Sequence, residues 1–243
     1  MKTTRILLAA AIVAAAGLFA ACEDHTVLQT ETQSVAAEGA KTAEVELRMG
    51  AGQLRLAGAD QSALMEATFR FNRSRYRPEV DYHVSGTTGV LRVSARRHVG
   101  IMFGHVRNEW DLRLTKSIPA DLTVKLGAGE SRLDLRGIEL SGLDIDMGVG
   151  EMRLDLSGPR TRSFDVKIDG GVGSGTLILP SEAGVRVKVD GGIGSVNAHG
   201  LAKSGHVYTN DAYGKSPVTI DISIDAGIGS LDLRVEPSGS AKF

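Results

Sequence analysis

Apolar and polar residues alternate along most of the chain, in short runs that meet at pairs of glycines. In "LDIDMGVGEMRLDL", Leu143 and Ile145 precede such a pair, and Met152 and Leu154 follow it with charged residues between them. This period of two predicts β-strands with one buried face. The alternation shifts by one residue across the glycines. The shift predicts a bend or bulge at each pair, since glycine adopts backbone angles that other residues avoid.

The Gly-x-Gly pair recurs along the chain, and its spacing predicts a solenoid. The middle intervals between first glycines are 21, 23 and 21 residues, whereas the first interval is 77 and the last is 35. We predict an all-β fold: a parallel β-solenoid, similar to a single-stranded β-helix, with coils of about 21 residues stacked in chain order about 4.8 Å apart. We expect the middle residue of each pair, which is Ala, Val or Ile, to fill the corner. The first glycines are Gly50, Gly127, Gly148, Gly171, Gly192 and Gly227.

The glycine pairs do not match the known glycine-rich ligand-binding loops. A dinucleotide-binding loop needs a third glycine, but Arg132, Arg153 and Thr176 occupy that position, and the Gly-Lys-Ser/Thr of a phosphate loop is absent. A calcium-binding repeat needs an aspartate where Gly175 and Val196 stand. We therefore interpret the pairs as corners of the solenoid.

Aspartates stand two residues before several of the corners. In a stack of coils such carboxylates lie about 5 Å apart and repel each other by about 1 kcal/mol in water. A bound cation would relieve this repulsion, and so would hydrogen bonds from backbone N–H groups of the corner. Lys167 and Lys188 supply positive charge nearby, so we favour a structural column without a metal ion. The aspartates are Asp146, Asp169, Asp190 and Asp225.

The first 21 residues have the pattern of a signal peptide helix. Lys2 and Arg5 precede an uncharged apolar run over 6–21, which is shorter than the ~20 residues of a membrane-spanning helix. The run ends in "LFAAC", which resembles the lipobox of bacterial lipoproteins. That resemblance implies cleavage before Cys22 and a lipid on its thiol. The alternative is an ordinary secretory signal followed by an unpaired thiol, since Cys22 is the single cysteine.

Composition divides the rest of the chain. Residues 22–40 are small and polar and are expected to tether the folded part to the membrane. Residues 41–116 form an N-terminal β region, 117–237 a solenoid continuous with it, and 238–243 a tail.

A basic segment interrupts the repeat. Its arginines alternate with aromatic residues, and this pattern predicts a face for an anionic envelope polymer or phospholipid headgroups. The alternative is a solvated strand edge that arginine protects from aggregation. Two histidines, His98 and His105, are a weak metal signal without a third ligand. The arginines proposed for the face are Arg70, Arg73, Arg75, Arg77, Arg96 and Arg97.

The net charge of −1 argues against nucleic-acid binding. The carboxylates follow the repeat, and no serine of the corners is paired with a histidine, so we find no catalytic group and expect neither enzymatic activity nor a cofactor. A glycan-active β-helix enzyme is the alternative.

Three stretches resemble the toast-rack family of bacterial envelope domains: "AEVELRMGAGQLRLAGA", "RPEVDYHVSGTTGVLRVSARR" and the run from "NEWDLRL" to "GEMRLDL". The resemblance covers Ala43 to Leu156, and the later coils are similar to the companion adhesin-related solenoid. It implies an all-β, β-helix-like fold and no established activity or catalytic residues. We expect an exported module held at a bacterial membrane by the lipid on Cys22. Its role would be adhesin-like, scaffolding or envelope-sensing, and its partner an envelope polymer or another envelope protein.

Overall fold

Long strands that bend at their glycine pairs form the body of the molecule. The computed structural model describes residues 28–72, 76–97, 107–192 and 194–237, so the signal peptide and Cys22 lie outside the described residues. Within these ranges all fourteen strands belong to one hydrogen-bonded sheet. The strands are β1 (Leu28–Ala36), β2 (Thr42–Ala59), β3 (Ala63–Asn72), β4 (Tyr76–Ser85), β5 (Thr88–Arg97), β6 (Asn108–Thr115), β7 (Ala120–Asp134), β8 (Leu140–Asp155), β9 (Phe164–Pro180), β10 (Gly184–Gly191), β11 (Ser195–His199), β12 (Ala202–Ser204), β13 (Val207–Thr209) and β14 (Thr219–Glu236).

Five of these strands run through a corner and pair in parallel on both sides of it. They are β2, β7, β8, β9 and β14. Equivalent residues of the repeat lie opposite each other, as Leu133 does opposite Leu154 and Leu154 opposite Leu177. The predicted parallel β-solenoid with Gly-x-Gly corners is confirmed. Each coil has two sides, which we call the first half, before the corner, and the second half, after it.

The spatial order of the coils differs from the predicted chain order. β5 and β6 together form one coil that pairs with β2 on the side away from β7. β14 lies between β9 and β10, so the last long strand is inserted inside the stack. These two departures account for the long intervals of 77 and 35 residues in the repeat.

Antiparallel strands close both ends of the stack. β4 pairs with β5, while β3 pairs with β6 and β1 with β3. At the other end β13 pairs with β10, and β12 with β13. β1 lies in the stretch assigned to the tether. It pairs through its backbone, so it forms despite the half-buried polar side chains Gln29, Glu31 and Gln33.

The core lies between the two halves. In the second half, the same inward position of five strands is a leucine, and these leucines form a column that is fully buried or nearly so. Trp110 and Phe69 fill the core at the β1 end, with their rings edge to face at 5.5 Å. The leucines of the column are Leu56, Leu133, Leu154, Leu177 and Leu233.

In five of the six corners the second glycine leaves no room for a side chain, and the exception is Gly194, where a Cβ would lie 3.1 Å from the nearest atom. Gly129 and Gly150 have φ of 132° and 146°. A Cβ on Gly150 would lie 1.8 Å from the carbonyl oxygen of Gly129. The middle residue points outward, with Val149 56% exposed. The expectation that this residue fills the corner is therefore wrong at Val149, because the tight backbone contact between coils turns its side chain to solvent.

Candidate binding surfaces

The aspartates before the corners form a row on the outer face of the first half, which we call the aspartate row. Its spatial order is Asp146, Asp169, Asp225 and Asp190, because β14 lies between β9 and β10. The expectation that Asp169 and Asp190 are direct neighbours is wrong for the same reason.

Lysines offset part of the charge in the aspartate row. Lys167 Nζ lies 2.8 Å from Asp169 Oδ2, and Lys188 Nζ lies 2.6 Å from Asp190 Oδ2. The nearby positive charge expected from Lys167 and Lys188 is therefore present. Among the described residues, no group of three or more His, Cys, Asp or Glu side chains is arranged to hold a metal ion.

Another carboxylate on this face has an altered acidity. Burial raises the pKa of Asp121, and the negative charges of Asp144 and Glu44 raise it further. Asp121 lies in register with Glu44 on the neighbouring coil. A carboxyl group that keeps its proton to higher pH is a feature that acid catalysis of glycoside cleavage requires.

The outer face of the second half carries a row of arginines, which we call the arginine row. Arg55, Arg132 and Arg153 lie in register on β2, β7 and β8, and neighbouring strands are about 4.8 Å apart. Arg55 and Arg132 are exposed. Two residues before Arg132 and Arg153, on the same face, stand Glu130 and Glu151, which partly balance the charge.

Sequence reasoning missed the arginine row, although a signal for it was present. Each arginine stands three residues after the second glycine of its pair, in "GQLRL", "GESRL" and "GEMRL". The pattern becomes a surface only when these three coils are known to be neighbours.

The structure does not bring the arginines of the predicted basic face onto one surface. Arg70 lies in β3, opposite Glu109 of the second half. Arg77 lies in β4, opposite Arg96 of β5 in the first half, and Arg97 follows in β5. Arg70 and Arg77 therefore belong to different halves of the solenoid. Arg73 and Arg75 lie outside the described residues, as do His98 and His105.

A buried polar network ties the return turns together. Arg160 donates hydrogen bonds to the carbonyl oxygens of Leu135, Ile138 and Leu156. Burial lowers the pKa of Arg160 to about 10, so it stays charged at neutral pH. The fully buried Asp155 accepts hydrogen bonds from the backbone N–H and hydroxyl of Ser157 at 2.8 and 2.6 Å. These contacts are made within the turns, so they stabilise the fold.

Comparison with known families gives one match. A profile described as the N-terminal domain of toast_rack, DUF2154, matches residues 24–178 of the chain. No curated protein sequence matches this chain. Within the part of the chain that the structure describes, no helix has the length and apolarity needed to cross a membrane.

A solved structure shares the architecture, and two others show weaker similarity. A candidate cell adhesion protein from Clostridium sporogenes is 32% identical in sequence with a TM-score of 0.80, and the alignment covers 86% of this chain and 100% of that one. A candidate adhesin from Bacteroides fragilis is 10% identical with a TM-score of 0.32, over 86% and 97% of the two chains. A third, from Parabacteroides merdae, is 11% identical with a TM-score of 0.26, over 85% and 95%.

Proposed function

The chain belongs to the toast-rack family, and on this basis we propose that it is a non-enzymatic, adhesin-like module of the bacterial cell envelope. The similar Clostridium sporogenes protein, assigned to cell adhesion, supports this role. The lipobox-like "LFAAC" supports export and anchoring through a lipid on Cys22. We further propose that the module binds an extended anionic polymer of the envelope.

The arginine row is the observation that carries the binding proposal. Arg55, Arg132 and Arg153 place three guanidinium groups on successive strands of one outer face, which Asp111 of β6 borders in register with Arg55. Like charges about 4.8 Å apart repel by roughly 1 kcal/mol per pair in water, and an anion lying across them relieves that cost. A straight row of this kind matches a polymer with repeated negative groups better than a compact ligand. Glu130 and Glu151 lie beside the row, so we expect moderate affinity that falls as salt is added.

The test compares two double variants that remove equal charge from opposite faces. Arg55→Gln with Arg132→Gln should weaken binding to polygalacturonate, a model anionic polysaccharide, by about tenfold, as for a loss of about 1.4 kcal/mol. The control, Arg48→Gln with Arg92→Gln, removes two arginines that lie near Glu46 on the first half. Uncharged dextran checks specificity. Equal affinities of the two double variants for polygalacturonate would reject the arginine row as the binding face.

The glycan-active alternative rests on Asp121. Burial and the charges of Asp144 and Glu44 raise its pKa, and a carboxylic acid with a raised pKa is one of the two carboxyl groups that glycoside cleavage uses. New reducing ends released from envelope polysaccharide by the protein, and lost in Asp121→Asn, would replace the binding proposal with an enzymatic one.

A further inference from the structure

One coil lacks the side chains that fill the core on both sides of the corner. Just before the first glycine, β2, β7 and β8 place Met49, Leu126 and Met147 inside the core, whereas β9 has Gly170. Just after the corner, β8 has the buried Met152 and β14 has the buried Leu231, whereas β9 has Gly175 between them. Just after the corner the stack therefore has a gap one strand wide, and just before it the gap is wider, because the neighbour of Gly170 on β14 is the small Ala226.

The backbone does not require glycine at either position. A Cβ on Gly170 would meet only the Cβ of Ala226 at 3.5 Å, an ordinary contact. A Cβ on Gly175 would lie 3.3 Å from the flexible Leu231 Cδ1. By contrast, a Cβ on Gly173 would lie 1.8 Å from the Gly150 carbonyl oxygen. Gly170 and Gly175 therefore leave space that the fold itself does not need.

The gap opens into a recess with an apolar lining. Residues of β8, β9 and β14 line the recess, and its volume is ≈ 70 Å³. That volume exceeds the ~10–15 Å³ that one water needs and is about half of a 150 Å³ cavity that holds benzene. Two serine hydroxyls and no charged side chain line it, so water has few partners there. The wall residues with large apolar side chains are Met147, Met152, Ile168, Ile224 and Leu231.

We propose that this recess binds the end of one unbranched acyl chain of a membrane lipid. Removing the side chains of one coil leaves a slot about 4.8 Å from each neighbouring column, and carbon atoms in contact lie about 3.5–4.0 Å apart. One hydrocarbon chain fits this width, whereas the broader face of an aromatic ring fits it less well. The recess extends along three coils, a length that suits a hydrocarbon chain. The flexible methionine side chains of its wall adapt to the length of the bound hydrocarbon.

Charge selects the kind of lipid. Asp169 and Asp225 directly precede Gly170 and Ala226 on the outer face of the same coils. Lys167 offsets the charge of Asp169, so the Asp225 carboxylate is the one that disfavours a nearby anionic headgroup. The acyl chain therefore belongs to an uncharged or zwitterionic lipid more readily than to a free fatty acid. The proposal that the lipid comes from a membrane rests on the proposed envelope location. The binding site itself is inferred from the recess alone.

The experiment uses the exported full chain with Cys22→Ser, so that no lipid on this residue competes. The probes are n-decanol, decanoyl monoglyceride, decanoate and benzyl alcohol, and calorimetry with thermal unfolding gives affinity and stability. We expect saturable binding of the two neutral aliphatic probes, and weaker binding of decanoate and of benzyl alcohol.

Narrowing the recess should weaken binding without unfolding the protein. Gly170→Ala with Gly175→Ala should weaken n-decanol binding by about tenfold, the equivalent of roughly two displaced methylene groups. Each single variant should give a smaller loss, and the unfolding temperature should not fall. Gly50→Ala is the matched control, because its Cβ would have nothing within 4 Å. Absence of n-decanol binding, unchanged binding in the double variant, or equal binding of benzyl alcohol would overturn the proposal. None of these outcomes bears on the lipid at Cys22 or on the arginine row.

Discussion

At the scale of single residues, the two glycines of a corner have different physical tasks. Gly50, a first glycine at the β2 edge of the repeat, has open space where a Cβ would lie. Gly150, a second glycine inside the stack, has a φ of 146° and a carbonyl oxygen 1.8 Å from that position. The requirement for glycine comes from the neighbouring coil as well as from the backbone angle.

Gly150→Ala should therefore destabilise the protein by about 3 kcal/mol or more, because it combines backbone strain with a collision against the next coil. Gly50→Ala should change the free energy of unfolding by less than about 1 kcal/mol. Chemical denaturation of the two variants measures both values. Similar losses of unfolding free energy in the two variants would mean that contact between coils does not cause the need for glycine at the corner.

At the scale of elements, the insertion of β14 makes the end of the chain an internal part of the stack. β14 pairs in parallel with β9 on one side and with β10 and β11 on the other. The segment from β10 to β13 therefore depends on a strand that follows it in sequence. In a solenoid stacked in chain order, loss of the last coil would leave the earlier coils paired.

A chain that ends at Val218, and so lacks β14, should lose the structure of residues 184–209 as well. The reason is that β10 and β11 lose their parallel partner, while β2, β7 and β8 keep theirs. Hydrogen exchange measured by mass spectrometry should show fast exchange over β10 to β13 and continued protection in β7. A chain ending at Pro237 is the control. Retained protection of β10 would contradict its dependence on β14.

At the scale of the whole molecule, the solenoid presents two outer faces that carry different rows of charged side chains. The first half carries the aspartate row and the second half carries the arginine row. The two faces belong to opposite halves of each coil, so a polymer bound to one half leaves the other free. β1, which follows the proposed anchor in sequence, lies at one end of the stack.

The anchor itself has a direct test. Cys22→Ser should abolish labelling with palmitate and leave the protein as uncleaved precursor or as released soluble protein, because the thiol that accepts the lipid is gone. Two or three acyl chains together hold a protein stably on a membrane, at about 0.8 kcal/mol per buried methylene. Thr32→Ser is a control substitution in β1. Palmitate incorporation that persists in Cys22→Ser would disprove lipid attachment at this residue.

Local patterns in the sequence determined the long strands, the corners and the solenoid class, but not β1, whose polar residues were assigned to the tether. Alternation with a period of two and a phase shift at glycine depend only on neighbouring residues, so they are visible before folding. The leucine column, from Leu56 to Leu233, follows from the same alignment. The same alignment contains the three arginines of the arginine row. They form a row only because β2, β7 and β8 are adjacent in the fold.

Only the tertiary structure decided the order of the coils and the surfaces that depend on it. Parallel coils are joined by backbone hydrogen bonds that are the same in every coil, so the repeat does not state which coil lies next to which. For this reason the place of Asp225 between Asp169 and Asp190 could not be read from the chain. The division of Arg70 and Arg77 between two halves likewise required the pairing of β3 and β4. The recess at Gly170 and Gly175 exists because Met147 and Leu231 come from neighbours that only the fold brings to either side.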